Sequence, residues 1–506
     1  MRSWFNKGVK SYLASRFKRR VFRFREHADT TQENVLQSLL SRASNTQYGK
    51  AYQFSKINSI ATFNKNVPLT QYGDIKSHIY DMMDGRKDVL WPGRVNWYAK
   101  SSGTTSERSK YIPITDDVLK NNHVASSWDT MSILYNDDPQ SKIFNKKSLI
   151  MGGSLAKWEY NSKVWVGDVS AILLHRMPLI GRPFYTPDFH TALLQDWETK
   201  IERMTQLCMK EDVVMFGGVP TWTIVLFNKM METVGAKNML DIWPNAQYYI
   251  HGGVGFEPYK KQFERMFPTD EFKYYEVYNA SEGYFAVQDG SDKDGMLLMM
   301  GSDIYYEFFE LHELDKESPT PTPLQELELN KNYAMAISSS SGLWRYLPGD
   351  TVCFTSLSPY RIKVSGRTKH FINVFGEEVM VGNTDKALAR TIESLPAIVS
   401  EYTVAPIFMD GGSKGGHLWL IEFEKNPDNL EAFEVLLDNN LKSINSDYAA
   451  KRFKDLALQR LKIKQVPKNT FHNWLKSKGK IGGQNKVPRL YNNRKYVDEL
   501  LQFVTS

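Results

Sequence analysis

Short apolar runs alternate with helical stretches through the middle of this chain, and that alternation constrains the fold more than any other feature. Predicted strands lie at residues 148–151, 213–216, 247–250 and 273–277. Between them, residues 196–209 and 220–234 have the apolar spacing of amphipathic helices. Strands that alternate with helices form largely parallel sheets, because each helix carries the chain back to start the next strand in the same direction. The sequence therefore predicts an α/β fold.

Beyond residue 301 the pattern changes, because strands follow one another without helices between them. Predicted strands lie at residues 307–311, 327–338, 350–355 and 360–364. A chain of 506 residues is too long for one hydrophobic core, so we expect two domains joined by a hinge. Residues 1–368 would form a large N-terminal domain of mixed sheets with helices plus a small antiparallel β subdomain. Residues 369–506 would form a smaller α+β C-terminal domain.

The composition excludes several classes of protein. No apolar run approaches the ~18 residues of a membrane span, since even residues 215–227 contain two glycines and a proline. Two cysteines, Cys208 and Cys353, are too few for a disulfide scaffold or a cysteine-based zinc site, and they fit a reducing compartment. We therefore expect a cytoplasmic protein.

Positive charge is concentrated at the N-terminus. The chain has 64 Lys and Arg against 57 Asp and Glu, and nine of the basic residues precede the first acid, Glu26. The rest of the chain is close to neutral, which argues against a nucleic-acid groove across the main domains. The basic N-terminus fits three interpretations: the solvated face of a packed helix, weak contact with an anionic membrane surface, or an organelle transit peptide.

A loop suited to a polyphosphate runs from Ser101 to Lys110. Gly103 lets the backbone approach an anion, the hydroxyl groups beside it can donate hydrogen bonds, and Lys110 adds a mobile positive charge. The hydroxyl-bearing residues at the start of the loop are Ser101, Ser102, Thr104 and Thr105. The stretch lacks the glycine spacing of a P-loop, and a Ser/Thr-rich surface turn would have the same composition.

Three more polar or glycine-rich stretches follow predicted strands, at residues 217–222, 251–255 and 278–284. The carboxyl ends of parallel strands meet at one edge of an open sheet, and ligands bind there. In the third stretch, an aromatic ring, a hydroxyl and a carboxylate could stack a base, contact a phosphate and hold Mg2+. A metal held mainly by phosphates needs only one or two protein carboxylates. Each stretch also fits an ordinary tight turn.

A further polar pair lies near the predicted division between the domains. Asp350 ends a Leu-Pro-Gly-Asp turn, and Arg367 lies within the stretch Gly-Arg-Thr-Lys that follows the next predicted strand. An aspartate carboxylate can accept hydrogen bonds from both hydroxyls of a ribose, and an arginine nearby can help to hold the ribose.

Taken together, these motifs resemble those of the adenylate-forming enzymes, the superfamily of acyl-CoA synthetases, luciferases and peptide-synthetase adenylation domains. Within it, the chain is most similar to the Gretchen Hagen family of acyl acid-amido synthetases. The resemblance covers almost the whole chain, and the motifs occur in the family's order. It includes a last motif at residues 482–489, GGQNKVPR.

The resemblance implies a role for each residue of the nucleotide site. Residues 101–110 would lie over the ATP phosphates, and Tyr278 would stack on adenine. Ser281 would contact the α-phosphate, Glu282 would bind Mg2+, and Lys486 would be the mobile catalytic lysine.

The same resemblance implies the ribose site, the hinge and the acyl pocket. Asp350 would hold the ribose hydroxyls with help from Arg367, and Lys369 would lie at the hinge. The residues implied around the acyl pocket are Gly252 and Gly253, which would also border the adenine, and Val219, Trp222 and Val254 on the acyl side.

The reaction implied is that of an ATP-dependent ligase with Mg2+ as its metal. A small carboxylic acid is activated as acyl-AMP, and the acyl group passes to a small amine such as an amino acid, forming an amide. Two alternatives stay open: an acyl-CoA ligase that uses the coenzyme A thiol, and a non-catalytic ligand-binding member of the fold. The Gly-Arg-Thr-Lys stretch resembles the general superfamily more than the plant enzymes, so the resemblance does not name the acid.

Overall fold

In the structure, a computed structural model, the chain folds into two units. It describes residues 2–101, 110–253, 256, 259–290, 293–367, 371–372, 377, 379–407, 415–445, 448–449, 452, 458–479, 487–491 and 493–505. The first unit contains residues 1–253, 267–348 and 352–363, and the second contains residues 254–266, 349–351 and 364–506. The predicted division after residue 368 stays a prediction, and Lys369 lies outside the described residues.

The elements are numbered in chain order. The strands are β1 Trp97–Ser101, β2 Lys110–Pro113, β3 Lys147–Ile150, β4 Leu155–Trp158, β5 Asn161–Gly167, β6 Tyr185–Thr186, β7 Val213–Gly218, β8 Tyr248–Gly252, β9 Lys273–Ala280, β10 Gly283–Val287, β11 Met296–Leu298, β12 Ile304–Glu310, β13 Asn332–Ser339, β14 Asp350–Leu357, β15 Tyr360–Arg367, β16 Phe371–Ile372, β17 Val379–Met380, β18 Ile398–Ile407, β19 Gly416–Lys425 and β20 Lys462–Val466. The α-helices are α1 Arg2–Arg16, α2 Phe22–Glu26, α3 Ala28–Ala43, α4 Gln47–Ala51, α5 Ile60–Asn66, α6 Tyr72–Met83, α7 Asp116–Val118, α8 Ala125–Asp137, α9 Val169–His175, α10 Phe189–Ala192, α11 Trp197–Cys208, α12 Pro220–Val234, α13 Lys260–Met266, α14 Val381–Ser394, α15 Leu430–Ile444, α16 Thr470–Ser477 and α17 Lys495–Thr505.

Two π-helical segments join neighbouring helices of the first unit. Phe17–Val21 joins α1 to α2, and Leu119–Val124 joins α7 to α8. Such segments widen a helix by one residue and often occur at functional sites.

The largest sheet of the described residues has eleven strands, in the order β12-β13-β14-β15-β11-β10-β9-β8-β7-β3-β6. The run from β6 through β3, β7 and β8 to β9 is parallel, whereas β9, β10 and β11 pair antiparallel. The α/β class predicted from the sequence is confirmed. The strands expected beyond residue 301 are present as β12 to β15, and they extend this sheet.

Burial on both faces explains why β7 has no polar side chain. Its first four residues, 213–216, are all buried. The ring of Phe216 lies 4.7 Å from that of Tyr249 on β8 and 4.9 Å from that of Phe227 on α12. A parallel strand covered by helices on each face needs such an uninterrupted apolar run.

A smaller four-stranded sheet has the order β2-β1-β5-β4. Strand β1 pairs antiparallel with β2 and parallel with β5. The rings of Trp97 and Trp165, which are partners in that parallel register, stack with their centroids 5.6 Å apart. This sheet carries the hydroxyl-rich loop, because the loop connects β1 to β2.

The basic N-terminal segment packs on the first unit. Leu13 and Val21 are fully buried, and Phe24 is nearly so. Arg16 and Arg20 both reach the fully buried carboxylate of Asp129 on α8, at 2.5 and 3.1 Å. These contacts confirm the packed-helix interpretation of the segment. The described helices include none with the length and apolar character that a bilayer crossing requires.

The second unit has its own sheet, with the order β18-β19-β20 and helices on both faces. Alternate residues of β19 divide between two cores. Trp419 and Ile421 face the cluster with α14 and α15, whereas Leu420 faces the cluster with α16 and α17. The alternation follows from the two-residue repeat of a strand.

Candidate active site

The carboxyl ends of three parallel strands meet at one edge of the large sheet. In their registers, Ile150 of β3 pairs with Gly217 of β7, and Gly218 pairs with His251 of β8. The predicted polar stretches at residues 217–222 and 251–255 therefore begin side by side, as the parallel order requires.

Gly252 ends β8 where no side chain would fit. A Cβ atom there would lie 2.2 Å from the carbonyl oxygen of Val277 on β9. Gly253 has a φ of 82°, in the left-handed region that favours glycine. The two glycines thus let β8 run close beside β9 and turn sharply at the sheet edge.

The buried imidazole of His251 lies beside these glycines. Its ring centroid is 5.3 Å from that of Tyr249, two residues earlier on β8. Burial lowers the pKa of His251 from 6.5 to about 3. The side chain is therefore neutral at physiological pH and adds no positive charge to this edge of the sheet.

Strands β9 and β10 form a hairpin that presents the predicted nucleotide and metal residues. Ala280 pairs with Gly283, so Ser281 and Glu282 form a two-residue turn. A hairpin turn is usually exposed, yet Ser281 and Glu282 are 8% and 7% exposed. Tyr278 on β9 is also buried, and its ring lies 4.8 Å from that of Phe285 on β10.

The hydroxyl-rich loop starts and ends at the open end of the β1–β2 hairpin. Ser101 and Lys110 are partners in the antiparallel register. The Lys110 ammonium lies 6.0 Å from the ring centroid of Tyr72, whose hydroxyl accepts a hydrogen bond from the Tyr111 amide at 2.9 Å. The predicted residues outside the described part of this loop are Ser102, Gly103, Thr104, Thr105 and the Ser101 side chain.

Asp350 and Arg367 share the open end of another hairpin. Strands β14 and β15 are neighbours of eight residues each and are joined by a two-residue turn. The first residue of β14, Asp350, and the last of β15, Arg367, therefore lie at the same end. Asp350 is 7% exposed, and its neighbour Thr351 accepts a hydrogen bond from the Ser365 hydroxyl at 3.1 Å. The Arg367 side chain is outside the described part of the structure.

The predicted acyl residues are described only in part. Val219 caps the N-terminus of α12, and its carbonyl accepts bonds from the Thr223 amide and hydroxyl at 3.2 and 3.1 Å. The backbone of Trp222 lies in the first turn of α12. Its side chain and the whole of Val254 are outside the described residues.

Lys486 also lies outside the described residues, but the chain that follows it is firmly anchored. Arg489 donates to the Tyr259 hydroxyl at 2.7 Å and to the Tyr402 carbonyl at 3.0 Å, and it pairs with Glu401. The Arg489 guanidinium also lies 4.4 Å from the ring centroid of Tyr402. These contacts fix the backbone three residues beyond the predicted catalytic lysine.

Lys200 supports the sheet edge without any signal in the sequence. It is buried on α11, and its ammonium donates to the Gly152 carbonyl, just beyond β3, at 2.7 Å. Burial lowers the pKa of Lys200 to about 8, and the nearby Asp168 carboxylate opposes that change. On a sequence, a lysine within an amphipathic helix is typical of a solvated face, so only packing could reveal this contact.

A metal at this site would rely on few protein ligands. Within the described ranges, no three His, Cys, Asp or Glu side chains cluster in a way that could hold a metal ion. Glu282 is a buried carboxylate in a turn whose preceding residue bears a hydroxyl. That donor set suits Mg2+, which keeps most of its ligands as phosphate and water oxygens.

Comparison with known families accounts for the order of these motifs. The profile of the GH3 family N-terminal domain matches residues 17–272, about half of the chain. The GH3 family central domain matches residues 297–367, and the GH3 family C-terminal domain matches residues 382–495. The chain belongs to the GH3 family.

Curated members of the GH3 family align over nearly the whole chain. The indole-3-acetic acid-amido synthetase GH3.3 of Arabidopsis thaliana is 23% identical, over 92% of this chain and 89% of the relative. The jasmonoyl-L-amino acid synthetase JAR4 of Nicotiana attenuata is 21% identical, over 91% of each chain. These relatives are ligases that form amides, and the predicted family and ligase class are confirmed.

Solved structures show the same fold. The GH3.15 acyl acid amido synthetase superimposes with a TM-score of 0.78 at 17% identity, covering 98% of this chain and 96% of that one. A 2-hydroxyisobutyryl-CoA ligase superimposes with a TM-score of 0.61 at 14% identity, covering 94% and 92%. The GH3 fold of this chain is thus that of the adenylate-forming enzymes, a class that uses ATP.

Proposed function

We propose that this GH3 protein activates a small carboxylic acid with MgATP and transfers the acyl group to the amine of an amino acid. The observation that carries the proposal is the buried turn of Ser281 and Glu282. It places a hydroxyl and a carboxylate in a buried hairpin turn at the end of β9, the strand next to the glycines of β8. A hydroxyl can donate to a phosphate, and Mg2+ held mainly by phosphate oxygens needs only one or two protein carboxylates, so this pair of groups suits MgATP.

In the first step, a carboxylate oxygen of the acid attacks the α-phosphorus of ATP. The bond between the α-phosphorus and the bridging oxygen breaks, and pyrophosphate leaves with that electron pair. Negative charge gathers on the transferred phosphoryl group and the leaving group, so positively charged and hydrogen-bonding residues accelerate the step. We assign that role to Lys110, Lys486 and the donors of residues 101–105.

The hairpin residues orient the nucleotide for this attack. Tyr278 would contact the adenine, Ser281 would donate to the α-phosphate, and Glu282 would bind Mg2+. Mg2+ supplies charge neutralisation on the pyrophosphate oxygens. Asp350 and Arg367 would hold the ribose, since they lie at the same end of their hairpin.

In the second step, the amine nitrogen attacks the carbonyl carbon of acyl-AMP. AMP leaves with the electron pair of the anhydride bond, and the nitrogen loses a proton to give the amide. We assign the acyl pocket to Gly252, Gly253, Val219, Trp222 and Val254. Rotation of residues 369–506 at Lys369 would withdraw Lys486 between the two steps.

The proposed reaction takes place in the cytoplasm. Its partners are a small acid and an amino acid. Weak contact of the N-terminal segment with anionic membranes stays a prediction, and liposome sedimentation of the full chain against a charge-reduced variant of Lys18, Arg19 and Arg23 tests it. These three side chains are exposed, so the variant leaves the buried contacts of the segment intact.

ATP–pyrophosphate exchange with the purified protein tests the first step. A panel of aliphatic, aryl and indole carboxylic acids is supplied one at a time, with Glu282→Gln as the matched variant. We expect exchange that depends on one class of acid and falls at least ~100-fold in the variant, as for the loss of one preorganised charge. Exchange that is absent with every acid, although the protein binds MgATP, would count against the proposal.

The acceptor is then decided with the acid found in that panel. Acyl-AMP consumption is followed with single amino acids and, separately, with coenzyme A. An amide product confirms the proposed transfer. A thioester formed with coenzyme A, and no amide, would reassign the protein as an acyl-CoA ligase.

A further inference from the structure

The side chain of Asn122 is hydrogen-bonded to the backbone of Tyr284, two residues after Glu282. The Asn122 carbonyl oxygen accepts a hydrogen bond from the Tyr284 amide at 2.7 Å, and its amide nitrogen donates to the Tyr284 carbonyl at 3.1 Å. The same nitrogen donates to the Ser302 carbonyl at 2.9 Å. Asn122 is fully buried, so each of these bonds replaces one that water would otherwise make.

The clamp acts within two residues of the carboxylate. Tyr284 follows Glu282 and Gly283, and a Cβ atom on Gly283 would lie 2.6 Å from the Ile304 side chain and 3.3 Å from the Asn122 side-chain oxygen. The Tyr284 hydroxyl is held separately, at 2.7 Å from the Thr130 hydroxyl on α8. The first residues of β10 therefore have little freedom to move relative to α8.

Asn122 lies in the π-helical segment Leu119–Val124, next to a second buried polar residue. His123 is fully buried and faces the side chain of Asn279, which follows Tyr278 on the other strand of the hairpin. One widened helical turn thus contacts both strands that support the nucleotide residues.

The N-terminal segment contacts α8, the helix that follows this π-helical segment. Arg16 and Arg20 meet at the buried Asp129 on α8, and Arg20 also donates to the Ser302 hydroxyl at 3.4 Å. Phe24 packs against Gly301, where a Cβ atom would lie 2.2 Å from its ring. Ser302 therefore links the basic segment to Asn122, and Asn122 links both to the hairpin.

We infer that Asn122 is a positioning residue for Mg2+ and nucleotide binding, and that the basic N-terminal segment braces it through Asp129 and Ser302. The inference rests on the proposed role of Glu282. Asn122 acts by fixing the backbone of the turn, so its loss should weaken the contribution of Mg2+ to ATP binding. Residues that orient a metal ligand typically change metal affinity or activity by 10–100-fold when they are replaced, on the order of what we expect here.

Gln32 on α3 offers a matched control. It is a buried amide that accepts from the Tyr306 amide at 2.8 Å and donates to the Ile304 and Met300 carbonyls at 3.0 and 2.5 Å. Gln32→Leu and Asn122→Leu therefore remove the same set of bonds, one to an N–H group and two to carbonyls. Gln32 bonds to β12 and the turn before it, not to the β9–β10 hairpin.

The test is ATP binding measured by titration at several Mg2+ concentrations, with the full chain and no acyl acid. The quantity compared is the ratio of the ATP dissociation constants without and with Mg2+. A loss of folded protein lowers the signal amplitude but leaves this ratio unchanged. We expect Asn122→Leu to reduce the ratio about 10-fold, towards that of Glu282→Gln, and Gln32→Leu to leave it within about 2-fold.

A smaller change keeps the test valid if Asn122→Leu does not fold. Thr130→Val removes the hydroxyl that contacts Tyr284 and should shift the ratio in the same direction by about 3-fold. A ratio that is equal in the Asn122 and Gln32 variants, or unchanged by Thr130→Val, would overturn the inference. So would a wild-type protein in which Mg2+ does not alter ATP binding. A protein that binds MgATP in this manner but exchanges no pyrophosphate would count against the proposed reaction and leave the role of Asn122 standing.

Discussion

His123 should make the protein lose stability in mild acid, and replacing it with glutamine should remove that loss. Burial lowers the pKa of His123 from 6.5 to about 4, and the Asn279 side chain opposes the change. The unfolded chain binds a proton at this residue below about pH 6.5, whereas the folded chain does not until about pH 4. The stability due to His123 is therefore fully present above pH 6.5 and is lost as the pH falls towards 4.

The size of the effect follows from the two pKa values. With one pKa unit worth ~1.4 kcal/mol, the free energy of unfolding falls by about 2 kcal/mol between pH 7 and pH 5 because of His123 alone, and by about 3 kcal/mol by pH 4. Glutamine is neutral, and its amide can still face Asn279, so His123→Gln should show a loss that is smaller by these amounts.

Urea unfolding of both proteins at pH 7 and pH 5, followed by tryptophan fluorescence, measures the difference. The carboxylates and the other histidines, including His251, contribute equally to both proteins and cancel when the two pH-dependent losses are subtracted. Equal losses in the wild type and the variant would show that His123 is protonated in the folded state. The burial argument would then be wrong.

Three further substitutions test separate parts of the structure. Arg345→Met should lower the free energy of unfolding by about 3–5 kcal/mol, since it leaves the buried carboxylate of Glu307 without the guanidinium that lies 2.9 Å away. Denaturant unfolding measures this, and a change below ~1 kcal/mol would contradict the expectation. Lys486→Ala should slow adenylation ~100-fold while sparing conversion of supplied acyl-AMP, and equal losses in both half-reactions would exclude the assigned role. Arg489→Lys should slow adenylation about 10-fold, because a lysine lacks the branched guanidinium that reaches the Tyr259 hydroxyl. Pyrophosphate exchange at the wild-type rate in this variant would contradict the role given to Arg489.

The sequence was enough to predict the parallel strands and the ends at which ligand residues cluster. Residues 213–216 are uninterruptedly apolar because β7 is covered on both faces, and that pattern is local. The glycines after β8 and the polar turn after β9 could be placed at one edge because parallel order brings carboxyl ends together. Family resemblance then supplied the roles, which no spacing alone could assign.

The positions of two residue pairs at hairpin ends could also be inferred from the sequence, although less directly. Ser101 and Lys110 lie opposite each other because two short strands flank the loop between them. Asp350 and Arg367 share an end because their strands are of equal length. In both hairpins the strand pairing sets how far apart the two residues lie, whereas the residue types indicate only that a ligand could bind there.

Tertiary structure alone decided which polar residues support the site. The sequence left three interpretations for the basic N-terminus, and only the fold showed that Arg16 and Arg20 meet a carboxylate more than a hundred residues away. Asn122 and Lys200 resemble ordinary helical surface residues in the sequence. Their importance comes from the carbonyl and amide groups that folding places beside them, and a buried polar group takes its energy from such partners rather than from its neighbours in the chain.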